Sequence, residues 1–207
     1  VEIFGSAPDG RVQLLITDDS DSANGSAIAV PYDAIRLYVE PPEDLSPLGD
    51  YDDWLTSLVV HEHTHIVHLD QAYGLPAVIN TILGRVWLPN HVNPRWLLEG
   101  YAVWQESANT AGGRLRSTQW DMWLRMDVLE GREWSIDQVT NIADRWPHGH
   151  AAYLYGGFFI AWSLAAVAVR ASRPASSGSS STRRRPSRST SSATPTRASP
   201  APSRIAC

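Results

Sequence analysis

Within LVVHEHTHIVHLD, His61 and His65 stand four residues apart, and Glu62 directly follows the first. On an α-helix that spacing brings two imidazoles onto one face, about 40° apart, where they can share a metal ion. Glu62 lies about 100° round from His61, beside such an ion, where a carboxylate can take a proton from water. The bare pattern is modestly specific, because three polar residues also share a helix by coincidence. The other nearby histidines do not extend the set. His63 points about 200° away from His61, as a solvated or core-satisfied ring would. His68 returns to the ligand face but about 10 Å further along the axis, too far to share an ion at ~2 Å. It reads as an outer partner or a pocket-lining residue.

Zinc needs a third protein ligand, and PRWLLEGYAVWQES (residues 94–107) offers one. Its Glu99 stands among Trp96, Leu97, Leu98, Tyr101 and Ala102. A buried carboxylate without a partner costs several kcal/mol, and a metal would satisfy it. The alternative is a surface glutamate on an amphipathic helix.

WLLEGYAVWQE resembles the second-ligand helix of gluzincin metallopeptidases, the group that includes the aminopeptidase N-like enzymes. Their Trp-Leu-x-Glu-Gly-aromatic-Ala pattern is matched by Trp96, Leu97, Glu99, Gly100, Tyr101 and Ala102, and their later glutamate by Glu106. LVVHEHTHIVHLD followed by PRWLLEGYA is similar, more narrowly, to the bacterial peptidase MA-like proteins, in which a Tol-type β-propeller often follows the protease. The likeness covers roughly residues 10–162. It implies a zincin-like α+β fold, with a small N-terminal sheet, a mainly helical lobe and the metal between two helices. It also implies that His61, His65 and Glu99 hold Zn²⁺ and that Glu62 is the general base acting on a zinc-bound water. The activity implied is a zinc metallopeptidase on peptide or protein substrates, and the expected location is the cell envelope (periplasm) or outside the cell.

The oxyanion formed in such a reaction needs a donor besides the metal. In the aminopeptidase N-like enzymes it is a tyrosine in a Tyr-x-x-Gly helix start, which AAYLYGGFF matches at Tyr153 and Gly156. Tyr155, also followed by glycine, is the rival, and either ring could be plain core. Two departures stand out. An insertion at about residues 72–94 lengthens the gap to 33 residues between His65 and Glu99. The Gly-x-Met-Glu-Asn segment that captures a free amine is missing. ANGSAIAVPYD stands in a comparable place and could be an edge strand pairing with an extended substrate. An alternative keeps the metal without the turnover: a catalytically inactive zinc-binding or interaction domain derived from a metallopeptidase.

The elements that must position these groups fall into three stretches. Residues 1–50 read as strands and turns, with VQLLI (from Val12) and IRLYVE (35–40) as β-rich runs around the turn-forming TDDSDSANGS. Residues 51–169 read as helices broken at Gly74-Leu75-Pro76, at Pro89 to Pro94 and at Ala111-Gly112-Gly113. Residues 170–207 form an Arg/Ser/Pro-rich stretch with 12 serines and no acidic or aromatic residue, which predicts disorder. That composition suits out-of-frame translation of GC-rich DNA better than a genuine basic tail. Ala151 to Val169 is uncharged for 19 residues, the length of a membrane span, yet its tyrosines, glycines and serine favour a buried helix of a soluble domain.

Charge is unevenly placed. Residues 1–169 hold 9 basic and 22 acidic residues, a net −13, against +8 for the remainder. An acidic body argues against a nucleic-acid partner. Every basic residue is arginine, a coding bias rather than physics, and the lone Cys207 excludes an intrachain disulfide. Val1 opens the sequence without a positively charged, apolar leader, so no signal peptide is expected within these residues.

Overall fold

The computed structural model describes residues 5, 7–8, 10–43, 46, 53–141 and 145–172. The expected disordered stretch therefore lies, from residue 173 onward, outside the described residues.

The architecture is α+β, with a three-stranded sheet and five helices. Strands β1 (Gln13–Thr17), β2 (Asn24–Ile28) and β3 (Ala34–Tyr38) are ordered β1-β3-β2, with β1 parallel and β2 antiparallel to the central β3. Asn24, Gly25 and Ser26, assigned to a turn from their composition, instead open β2. Backbone pairing with Tyr38, Leu37 and Arg36 outweighs the weak strand preference of Asn and Gly. β2 is an edge strand.

Helix α1 (Trp54–Asp70) starts where the Asp53 carboxylate accepts a hydrogen bond from the Thr56 amide at 3.3 Å. One of its stripes, at i, i+4 and i+8, is Leu58, Glu62 and Ile66. Leu58 and Ile66 close a core with Ala29, Ile35 and Leu37 of the sheet. A second stripe carries Ser57, His61 and Thr64, all buried. There the Ser57 and Thr110 hydroxyls lie 3.3 Å apart.

The insertion is ordered. It holds α2 (Leu75–Leu83) and a 3₁₀ turn at Pro89–Val92. Arg85 ties it down through an ion pair with Asp33, a second with Asp70 at 3.1 Å and a hydrogen bond to the Ala29 carbonyl at 3.1 Å. Asn90 donates to the His68 carbonyl at 2.7 Å.

Helix α3 (Arg95–Asn109) follows Pro94, α4 (Thr118–Leu129) follows a Ser117 cap, and α5 runs Ala151–Ser172. Helix α5 thus continues three residues past the expected boundary at 169. It belongs to the one described segment long and apolar enough to cross a membrane, His148–Ser172. Its first half, to Ile160, is largely buried, whereas Trp162, Val167 and Val169 are exposed. Against the expectation of a buried helix, only that first half finds partners.

Two glycines set the crossing of α3 and α5. A Cβ on Gly156 would stand 2.2 Å from the Trp96 carbonyl oxygen, and one on Gly100 would stand 2.3 Å from the Gly156 carbonyl carbon. The backbones touch where each side chain is a hydrogen, and this contact sets the height of Tyr153 over α3.

Candidate metal centre

His61 and His65 from α1 meet Glu99 from α3. Their Nε2 atoms are 3.2 Å apart and lie 3.4 and 3.3 Å from Glu99 Oε2. Four donors held at ~2.0–2.1 Å in a tetrahedron about zinc stand about 3.3 Å from one another. The triangle therefore has the edge length of a tetrahedral site. Glu99 Oε2 is buried and accepts no hydrogen bond of good geometry. Two imidazole nitrogens facing each other and a carboxylate oxygen at this distance form a set of lone pairs that a cation would satisfy.

The far side of His61 explains which nitrogen faces the triangle. Glu106, two turns beyond Glu99 and 1% exposed, sets Oε2 3.0 Å from His61 Nδ1. Arg114 Nη1 also approaches that nitrogen, at 3.3 Å, but guanidinium only donates. The coherent assignment has His61 Nδ1–H donating to Glu106, while Arg114 pairs with Glu106 at 3.4 Å and donates its backbone amide to Oε1 at 2.9 Å. In that tautomer Nε2 carries a lone pair directed into the triangle.

Burial opposes charge on His61, but Glu106 and Glu99 outweigh it and push the ring up to about 9. Burial likewise opposes ionisation of Glu99, yet His61 and His65 hold its carboxyl well below the usual range. Arg114 and His61 do the same for Glu106 against its own burial.

Glu62 is buried on the sheet-facing stripe of α1, between Leu58 and Ile66, where an apolar residue would ordinarily sit. Gly25 of β2 makes the room. A Cβ there would lie 2.9 Å from Glu62 Cγ and 3.0 Å from Oε1.

The two tyrosines separate clearly. The Tyr153 ring stacks beside His61, with centroids 5.9 Å apart, and lines a cleft of about 330 Å³ with His61, Glu62 and Arg95. Burial and then the Glu99 charge push its hydroxyl up to about 12, so it stays a donor at neutral pH. Tyr155 turns into the core and donates to Asp127 Oδ2 at 2.6 Å. Burial and that bond raise its pKa too.

His63 is half-buried, and its neutral form is favoured by burial. His68 does not line the cleft. Its Nε2 lies 3.2 Å from Asn93 Nδ2, and its ring meets Tyr101 edge-on. It anchors the insertion, a role the ligand-face geometry alone did not reveal. Arg95, Arg114 and Gly25 had no signal of their own in the sequence. Glu106 had one, because seven residues after Glu99 is two helical turns on the same face.

No protein-family model matches the chain, and no solved structure matches it. It is similar to an uncharacterized protein of Treponema pallidum (strain Nichols), 28% identical over 149 residues. That alignment covers 72% of this chain and 12% of the relative, so the chain spans a small fraction of that protein's length.

Proposed function

We propose that the chain carries the catalytic centre of a zinc-dependent metallopeptidase of zincin-like architecture. The observation that carries this reading is the His61–His65–Glu99 triangle, with its tetrahedral edge lengths and its unbonded, buried Oε2. The resemblance of its two ligand segments to gluzincins, and to the peptidase MA-like group within them, points the same way. So does the location that group implies, in the cell envelope or outside the cell. A zinc ion held there would act as a Lewis acid toward water and the scissile carbonyl.

The chain's own residues divide the remaining work. Glu62, held against Gly25, takes a proton from the attacking water and delivers it to the leaving amine. Tyr153, neutral and beside His61, donates a hydrogen bond to the oxygen on which charge develops. Glu106 keeps the His61 proton on Nδ1. Edge strand β2 runs along the cleft at Asn24 and Gly25, where an extended substrate could add as a further strand once the Gly25 amide leaves Asn24 Oδ1, to which it donates at 2.8 Å.

Zinc content and peptide cleavage test the reading together. Wild-type protein purified without added metal should carry about one zinc per chain, and Glu99→Ala should lose most of it. Glu62→Gln should keep the zinc and lose roughly 10²–10⁴ in turnover. A well-folded wild type without zinc removes the proposal. Zinc with no cleavage of any peptide in a broad substrate panel would leave the inactive zinc-binding domain instead.

A further inference from the structure

The cleft beside the triangle has a charge balance that points to its substrate. Besides Glu62 and His61, it is lined by Asn24, Arg95, Arg114, His150 and Tyr153, among others. Arg114 is committed: it is buried, paired with Glu106 at 3.4 Å, and its guanidinium lies over the Trp120 and Tyr153 rings. Arg95 is not committed to the same degree. Its side chain is 31% exposed, and its ion pair is a single contact from Nε to Glu99 Oε1 at 3.6 Å. Its guanidinium carbon sits 5.4 Å above the Tyr153 ring.

With a divalent ion in the triangle, Glu99 and Glu62 together balance the ion, and Glu106 balances Arg114. Arg95 then remains as a positive charge without a counterpart among the described residues that line the cleft. His150 lines the same cleft. Burial first, then Arg114, Arg95 and His148, keep its ring neutral. A planar guanidinium that spends one donor on Glu99 and another on the Tyr153 hydroxyl still has donors for a carboxylate at the cleft wall.

Resting on the metallopeptidase reading, we propose that Arg95 is a specificity-determining residue that binds a substrate carboxylate close to the scissile bond. Arg95 Nε lies 3.6 Å from one Glu99 oxygen while the other oxygen faces the triangle, which places the guanidinium within about two residue lengths of the ion position. At that range the carboxylate belongs either to the substrate's C-terminus or to an Asp or Glu side chain next to the cleaved bond. The chemistry is the same, and the choice decides between removal of C-terminal residues and cleavage beside acidic ones.

Binding tests this without turnover. Zinc-loaded Glu62→Gln protein would be titrated calorimetrically with three N-acetylated tetrapeptides: an all-alanine free acid, its amide, and an amide carrying one glutamate. Either the free acid or the glutamate peptide should bind at least about tenfold tighter than the plain amide. Arg95→Gln in the same background should abolish that difference, and Arg95→Lys should restore part of it. Thermal melts of the Arg95 variants within a few degrees of the parent would separate recognition from support of Glu99. Equal affinities for all three peptides, no binding of any, or a preference untouched by Arg95→Gln would each overturn the proposal. Arg95-dependent binding by a wild type that cleaves nothing would sink the peptidase reading and leave the carboxylate site standing. Cleavage indifferent to carboxylates would do the reverse.

Discussion

Tyr153 and Tyr155 stand two residues apart on one helix, and their surroundings give them opposite work. Tyr153 faces His61 and the cleft, whereas Tyr155 is 8% exposed and bonded to Asp127. Tyr153→Phe should lower kcat by about 10²–10³ and leave the melting temperature nearly unchanged, because an oxyanion donor is lost and no buried partner is stranded. Tyr155→Phe should keep the activity per folded molecule and cost about 1–3 kcal/mol of stability, because the buried Asp127 carboxylate loses its donor. Paired kinetics and denaturant curves check both, and the reverse pattern would exchange the two roles. Gly25 makes a third case. Gly25→Ala puts a methyl group 2.9 Å from Glu62 Cγ, so the base must turn away. The expected result is normal zinc content with turnover reduced at least tenfold. A variant with unchanged kinetics would show that Glu62 has room to spare.

Helix α5 brings Tyr153 to a site whose ligands all lie on α1 and α3, and it does so through backbone contact at Gly100 and Gly156. The Cβ of Gly156→Ala would overlap the Trp96 carbonyl, a backbone atom that cannot swing aside as a side chain could. Overpacking of this kind costs about 1–3 kcal/mol. Moving α5 outward also carries Tyr153 from the cleft. The variant should therefore melt lower and lose kcat while Glu99, whose side chain meets His61 and His65 of α1, still binds zinc. Zinc lost in proportion to activity would mean that the whole helix pair had collapsed. At α1 the same logic gives two faces. Its Leu58–Glu62–Ile66 stripe meets the sheet and its Ser57–His61–Thr64 stripe meets α3, so one helix holds both the base and the ligands at fixed angles.

Across the whole molecule, His63, His68 and His150 resist protonation in the fold. Burial is the leading cause for each, with His65 adding to it at His68 and Arg114, Arg95 and His148 at His150. In the unfolded chain these rings protonate near ~6.5. Between their lowered folded values and that pH the unfolded state binds more protons, so the stability these three rings contribute is full above about 6.5 and declines as pH falls below it. Thermal melts at pH 7.5 and 5.5 should show the loss, and His68→Gln should lose less than wild type over the same interval. An equal drop in both would remove His68 from the account. The folded part also leaves apolar surface open, on β1 at Leu14, Leu15 and Ile16 and on α2 at Val78 and Ile82.

The sequence by itself singled out His61, His65 and Glu99, the three side chains that the fold brings together. Spacings of four on one helix, and a glutamate amid apolar neighbours on another, follow from helical periodicity and the cost of burying charge. The breaks at Gly74, Pro89 and Gly113 were equally local and fall between helices, each at the start of the next helical turn, whereas the end of α2 at Leu83 was not among them. Tertiary structure decided the rest, because it turns on distances between segments far apart in the chain. β2 became a strand through its pairing with β3, despite Asn24 and Gly25. His68 became an anchor because the insertion folds back to place Asn93 beside its ring. Glu106 gained its meaning only when α3 crossed α1 and set its carboxylate on His61 Nδ1. Tyr153 rather than Tyr155 faces the cleft because two glycines let α5 approach α3 at one height and one rotation. No periodicity along a single helix encodes how far away its neighbour will lie.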